Sequence, residues 1–174
     1  LPRYRQVDRS ALGLTHAATF YVPLASWKER CDILTGKLGT NVTVYFINKD
    51  IYFDRPGLYG TPRGDYPDNA ERFIFFSRAV PELCRVLNFR PDIIHCNDWQ
   101  TGLTPAYLHF AQGAVPSIIA IHNLAFQGIF PPATVQQLNL PPSCFSIDGV
   151  EFYGNMSFLK AGLFYADYIT TVSP

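Results

Sequence analysis

Two short clusters carry the side chains best suited to chemistry. His95-Cys96-Asn97-Asp98-Trp99-Gln100 groups an imidazole, a thiol, a carboxylate, two amides and an indole, and His122-Asn123-Leu124 adds a second imidazole and amide. Such groups can ligate a metal or engage a polar substrate. Each cluster comes after an apolar run, Asp92-Ile-Ile in the first case and Pro116-Ser-Ile-Ile-Ala-Ile in the second. In an open parallel sheet, ligands bind beyond the carboxyl ends of the strands. If the two runs are neighbouring strands, Asp98 and His122 face one crevice. Other uses of these residues stay open at this point: Asp98 is a good helix cap, and His122 can be a satisfied buried histidine. His95 falls inside its strand, where a structural role is expected.

No metal is expected, because no pair among His95, Asp98 and His122 has helical i,i+4 ligand spacing. There is no Gly-x-x-x-x-Gly-Lys-Ser/Thr loop, no Gly-x-Gly-x-x-Gly and no Gly-x-Ser-x-Gly elbow, so phosphate-loop, dinucleotide and serine-hydrolase readings lose their usual signatures. Asn41-Val-Thr and Asn155-Met-Ser match the glycosylation triplet by chance. The four cysteines form no Cys-x-x-Cys pair, so reduced, mostly buried thiols are expected.

The elements that must position these clusters have a βα pattern. Asp92–Asn97 reads as a buried strand and Gly102–Ala111 as a helix with Pro105 in its first turn, where proline is tolerated. Pro116–His122 reads as a second strand, Met156–Ala166 as a helix and Asp167–Ser173 as a third strand. Strands joined through helices imply a parallel sheet. Their continuous apolar runs fit a sheet covered on both faces. Upstream, Val42–Ile47 is β-branched and aromatic and reads as a strand, with Thr19–Val22 as its neighbour. Arg55–Asp68 is dense in Pro and Gly and reads as a long loop of the binding or lid kind. From Asn69 to Leu87, Phe73, Phe76, Val80, Leu83 and Leu87 form one helical stripe. Asp68 is the expected cap, and Pro81 predicts a kink or two abutting helices.

The chain has 174 residues, 48% of them hydrophobic and 16% charged, which excludes a disordered polyampholyte. Fourteen Lys+Arg balance fourteen Asp+Glu, so neither a nucleic acid nor an anionic membrane is an expected partner. No apolar run approaches the ~20 residues of a spanning helix. The 14 Pro, 14 Phe and 10 Tyr imply many turns and a large aromatic core or an aromatic-lined cleft. The final run stops at Pro174 at the tip of a strand, which predicts a segment cut at both ends.

Four segments together resemble one family. Tyr45–Gly60 (YFINKDIYFDRPGLYG), Arg90–Leu108 (RPDIIHCNDWQTGLTPAYL), Ile121–Pro131 (IHNLAFQGIFP) and Glu151–Pro174 (EFYGNMSFLKAGLFYADYITTVSP) are similar to bacterial glycogen synthases and plant starch synthases. The resemblance implies a Rossmann-like, doubly wound α/β fold, with residues 1–174 as part of the N-terminal domain of a two-domain GT-B glycosyltransferase. It implies retaining transfer of glucose from ADP-glucose to the non-reducing end of an α-1,4-glucan. ADP-glucose and the glucan are then the substrates, with no separate cofactor. A Lys-x-Gly-Gly-Leu donor loop and a C-terminal nucleotide domain belong to the family but not to this chain.

Carried over by motif, His122 matches the active-site histidine, whose carbonyl or ring stabilises positive charge at the anomeric carbon. Asn123 would hydrogen-bond the sugar. Asp98 would orient the acceptor or act on its hydroxyl. Tyr59 matches a cleft tyrosine, and Gln100 stands where many members carry His. Trp99, Tyr59 and Phe126 can stack on sugars or simply pack in a core. The rivals are a related glycosyltransferase with another sugar nucleotide and a non-catalytic glucan-binding module. The expected location is a bacterial cytoplasm, or a plastid in a plant.

Overall fold

The computed structural model describes residues 1–111 and 115–172. It opens on an antiparallel meander of β1 (Thr15–Leu24), β2 (Trp27–Leu38) and β3 (Val42–Asn48). A short helix α1 (Asp50–Phe53) and a tiny hairpin of β4 (Gly60–Thr61) and β5 (Gly64–Asp65) come next. Helix α2 (Asn69–Val86) leads into β6 (Ile94–Asn97), a 3-10 turn over Trp99–Thr101, α3 (Leu103–Phe110) and β7 (Ser117–Ile121). A small antiparallel sheet is built from β8 (Ile129–Phe130), β9 (Glu151–Phe152) and β10 (Asn155–Ser157). Helix α4 (Phe158–Tyr165) and β11 (Tyr168–Thr171) complete the described chain.

The βαβ half forms the expected parallel sheet, in the order β11-β7-β6. Asn97 pairs with Ala120, so the tips of β6 and β7 end side by side. Ile119 and Cys96 share the covered face of this sheet. All four residues of β11 are exposed, however, so the sheet is not buried throughout as the apolar runs suggested.

The first half departs further from expectation. The strands around Thr19–Val22 and Val42–Ile47 exist, but β2 lies between them. Its outward Lys28, Arg30 and Asp32 gave it the polarity of a surface loop, while inward Cys31 and Ile33 are fully buried. The helix after Ser157 also starts later than expected. Met156 and Ser157 belong to β10, and the Ser157 hydroxyl accepts from the Lys160 amide at 3.1 Å, ending the strand and capping α4.

Helix α2 is the centre of the molecule, packed against β1 and α3. From Arg72 to Ser77 every side chain is buried, so the helix is enclosed on all sides rather than along one stripe. It runs through Pro81 as a single helix. Proline has no amide hydrogen, so the carbonyl one turn earlier loses its helical donor. That carbonyl belongs to Ser77, and the buried Thr104 hydroxyl of α3 donates to it at 3.1 Å. Asp68 does not cap α2 with its side chain. Its carboxylate instead takes a two-pronged pair from Arg55, at 2.7 and 2.6 Å.

Thr104→Val keeps the shape of the side chain but leaves the Ser77 carbonyl unpaired in the core. It should lower stability by about 1–3 kcal/mol in urea unfolding, while Thr104→Ser stays near the parent. An unchanged midpoint for Thr104→Val would show that the proline gap is satisfied by some other donor.

Candidate functional site

The ladder between β6 and β7 continues one residue past the strand, where the Asp98 amide donates to the Ala120 carbonyl at 2.9 Å. Asp98 then turns sharply, with φ 57° and ψ −172°. A non-glycine residue carries about 1–3 kcal/mol of strain in such a region. Thr101 stabilises the turn: its hydroxyl accepts from the Asn97 amide at 2.6 Å and donates to the Asn97 carbonyl at 2.8 Å.

This turn aims the Asp98 carboxylate at the neighbouring tip. One oxygen accepts from the His122 backbone amide at 2.7 Å, and the other lies 3.1 Å from His122 Nδ1. The His122 side chain is 45% exposed and that of Asp98 29%. The two open alternatives are thereby resolved: Asp98 makes no side-chain cap of the following turn, and His122 is not a buried core residue. His95 is exposed in mid-strand, back to back with buried Cys96. Burial pushes the Cys96 thiol up to about 12, so it stays protonated and is no nucleophile near neutral pH.

Asn123 begins the loop leaving β7. Its Oδ1 accepts from the Ala125 amide at 3.0 Å and shapes that loop. The loop then walls a hollow of about 570 Å³, which Tyr59, Trp99, Gln100, Phe126 and Phe130 also line. The six residues singled out from sequence therefore fall into two groups. Asp98, His122 and Asn123 sit together at the strand tips, whereas Tyr59, Trp99 and Gln100 line the hollow. The chain joins the groups directly, because Trp99 is next to Asp98 and the loop from Asn123 becomes the hollow's wall. A second hollow, of about 420 Å³, lies beside Ile94 at the other end of β6 and holds none of the six.

The aromatic residues are not equivalent. Trp99 is 8% exposed and packed among Phe73, Phe130 and Phe158, at centroid distances of 4.8, 5.9 and 6.0 Å. Gly128 makes this possible: with φ 58°, a Cβ there would come within 2.5 Å of the indole. Trp99 is thus a fixed wall, while Tyr59 and Phe126 keep accessible surface. Sequence reasoning missed Asn69, Arg72 and Arg55. A cation inside a helix beside Glu71 reads as part of a solvated face, and nothing in the pattern marks it as buried.

Burial alone would raise the Asp68 carboxyl, but hydrogen bonds and charge from Arg55 outweigh it and hold it below the usual carboxylate value. Among the described residues, no group of three or more His, Cys, Asp or Glu side chains could hold a metal ion. No described helix is long and apolar enough to cross a membrane.

Comparison with known proteins places these features in a family. The family model for the starch synthase catalytic domain matches residues 1–174. The glycogen synthase of Syntrophotalea carbinolica is 46% identical over 99% of this chain, and that of Elusimicrobium minutum 44% identical over all of it. The catalytic domain of starch synthase IV from Arabidopsis thaliana, bound to ADP and acarbose, superposes with a TM-score of 0.85 at 25% identity over the whole chain. The chain belongs to the starch synthase catalytic-domain family and has the corresponding α/β fold. It spans 37% of the length of each of these three proteins.

Two outcomes test the geometry. Asp98→Ala removes the acceptor of the His122 amide and should speed exchange of that amide about tenfold or more by NMR, as expected for losing a charge-assisted bond. Unchanged exchange would mean that the carboxylate does not hold the tip. Separately, the depressed Asp68 pKa means its pair with Arg55 stabilises the fold above the ordinary carboxylate value and loses that contribution as pH falls through the folded value. The stability gap between the parent and Asp68→Asn should therefore hold at neutral pH and close as pH falls below the ordinary carboxylate value. A gap independent of pH would contradict the pairing.

Proposed function

We propose that this chain forms the acceptor-side part of a retaining glucosyltransferase that moves glucose from ADP-glucose to the non-reducing end of an α-1,4-glucan, as in glycogen and starch synthesis. The observation that carries this reading is the Asp98 carboxylate at one strand tip, which accepts from the His122 amide at the adjoining tip and lies against its ring. Family membership and the ADP and acarbose bound by the Arabidopsis neighbour support it.

A retaining transfer passes through a state with positive charge at the anomeric carbon. Fixed dipoles aimed at that charge stabilise it without having to reorganise. In this reading His122 supplies the dipole, through its carbonyl or its outward ring edge, and Asp98 holds it in one orientation. Asn123 uses its Oδ1 within the loop, leaving its amide group to donate to a sugar hydroxyl. The glucan acceptor runs toward the hollow, where Tyr59 and Phe126 offer ring faces, Trp99 forms the wall and Gln100 offers an amide. The reaction calls for no resident metal or cofactor, ADP-glucose being a substrate. The cationic groups for its diphosphate would come from outside this chain. The bacterial source of the relatives supports a bacterial cytoplasm as the location, with a plastid as the counterpart in a plant.

The test uses a full-length protein carrying this segment, with radiolabelled ADP-glucose and glycogen. His122→Ala should lower kcat by about 100-fold or more, in line with losing a preorganised electrostatic group, with thermal unfolding unchanged. A kcat near the parent value would remove His122 from the site. Incorporation from UDP-glucose instead of ADP-glucose would point to a related transferase, and glucan binding without any transfer to a binding module. The isolated 174-residue chain should incorporate no glucose.

A further inference from the structure

Arg72 is fully buried near the start of α2, with 0% of its surface exposed. Its guanidinium donates in three directions: Nε to the Tyr52 carbonyl at 2.7 Å, Nη1 to Asn69 Oδ1 at 2.6 Å and Nη2 to the Leu58 carbonyl at 2.9 Å. None of these acceptors is a carboxylate. The cation is otherwise surrounded by the rings of Phe53, Tyr66 and Phe73, 5.2–5.6 Å away. A buried charge with no ion pair is an expensive choice for a core position, and an apolar side chain would fill the space without that cost.

What the cation holds is the segment that ends in Tyr59. It binds the Leu58 carbonyl directly. It also fixes Asn69, whose Nδ2 donates to the Tyr59 carbonyl at 2.8 Å. The Tyr66 amide donates to the same carbonyl at 2.9 Å. The loop has no slack: a Cβ on Gly57 would lie 2.0 Å from the Gly60 carbonyl oxygen. Clamped at its backbone, Tyr59 presents its ring 5.9 Å from Phe73 and 6.1 Å from Trp99, as one wall of the hollow.

We propose that Arg72, acting partly through Asn69, is a positioning residue that sets the Tyr59 ring for the glucan acceptor. This rests on the reading of Tyr59 as a glucan-contacting residue. Only the planar fork of an arginine reaches all three acceptors at once, whereas a lysine is a point donor. None of the three bonds involves Asp98 or His122, so the effect falls on acceptor binding and not on the transfer step.

The experiment measures steady-state kinetics of a full-length enzyme carrying this segment, with maltoheptaose as acceptor and ADP-glucose as donor. The variants are Arg72→Lys, Asn69→Asp, Tyr59→Ala and the two double variants with Tyr59→Ala. Asn69→Asp still accepts from Arg72 but can no longer donate to the Tyr59 carbonyl, and it gives the buried cation a counter-ion. It therefore carries the comparison should Arg72→Lys fail to fold. Each single variant should raise the maltoheptaose KM about tenfold, the loss of one oriented contact worth about 1.4 kcal/mol, with the ADP-glucose KM and kcat nearly unchanged. Each double variant should be no worse than Tyr59→Ala alone, since residues acting through one group are not additive. A normal maltoheptaose KM for Tyr59→Ala would overturn the underlying reading of Tyr59. A raised KM there, with Asn69→Asp normal or with penalties that add in the double variants, would overturn the positioning role itself.

Discussion

The arrangement turns on a single carboxylate. Asp98 stands at the end of one parallel strand, accepts from the backbone amide of His122 at the end of the next, and lies 3.1 Å from the His122 ring nitrogen Nδ1. Backbone pairing alone brings the tips of β6 and β7 together, but it does not orient the side chains beyond them. The Asp98 carboxylate, bonded to the His122 amide and placed against the imidazole, brings two functional side chains of adjacent strands face to face. The left-handed turn at Asp98 is the local strain that this placement costs, and Thr101 holds it closed.

The rest of the molecule supplies rigidity to the walls around that point. Helix α2 is enclosed on every side through its first turns, and its polar groups are consumed internally. The Thr104 hydroxyl takes up the carbonyl released by Pro81, and the Ser77 hydroxyl donates to the Gln100 carbonyl beside the hollow at 3.2 Å. Arg72 and Asn69 extend the same helix into the Tyr59 loop. The aromatic wealth of the chain is divided accordingly. Phe73, Phe158 and Trp99 are core, whereas Tyr59 and Phe126 keep exposed rings at the hollow.

The parts of the fold legible in the sequence are those set by local interactions. Continuous apolar runs ending in polar clusters revealed β6 and β7, and motif resemblance singled out Asp98 and His122 at their tips. Strand β2 stayed hidden because its outer face is charged. The start of α4 was misplaced because Ser157 is both the end of a strand and a cap. Long-range partners were least visible. Asp68 looked like a cap by its place before α2, yet Arg55, thirteen positions earlier, claims its carboxylate. Arg72 carried no mark of burial, because its partners are carbonyls and an amide brought in by the fold. The division of the six candidate residues between a tip cluster and a hollow is likewise a property of packing, not of spacing.

The most direct measurement is a crystal structure of a full-length protein carrying this segment, with ADP and acarbose bound. The account predicts a sugar ring within about 3.2 Å of a polar atom of His122, hydrogen-bond reach for a group acting on the reacting centre, with the Asp98 bond to the His122 amide intact and the acceptor end directed at Tyr59. A sugar bound elsewhere, with His122 released from Asp98 and turned to solvent, would contradict it.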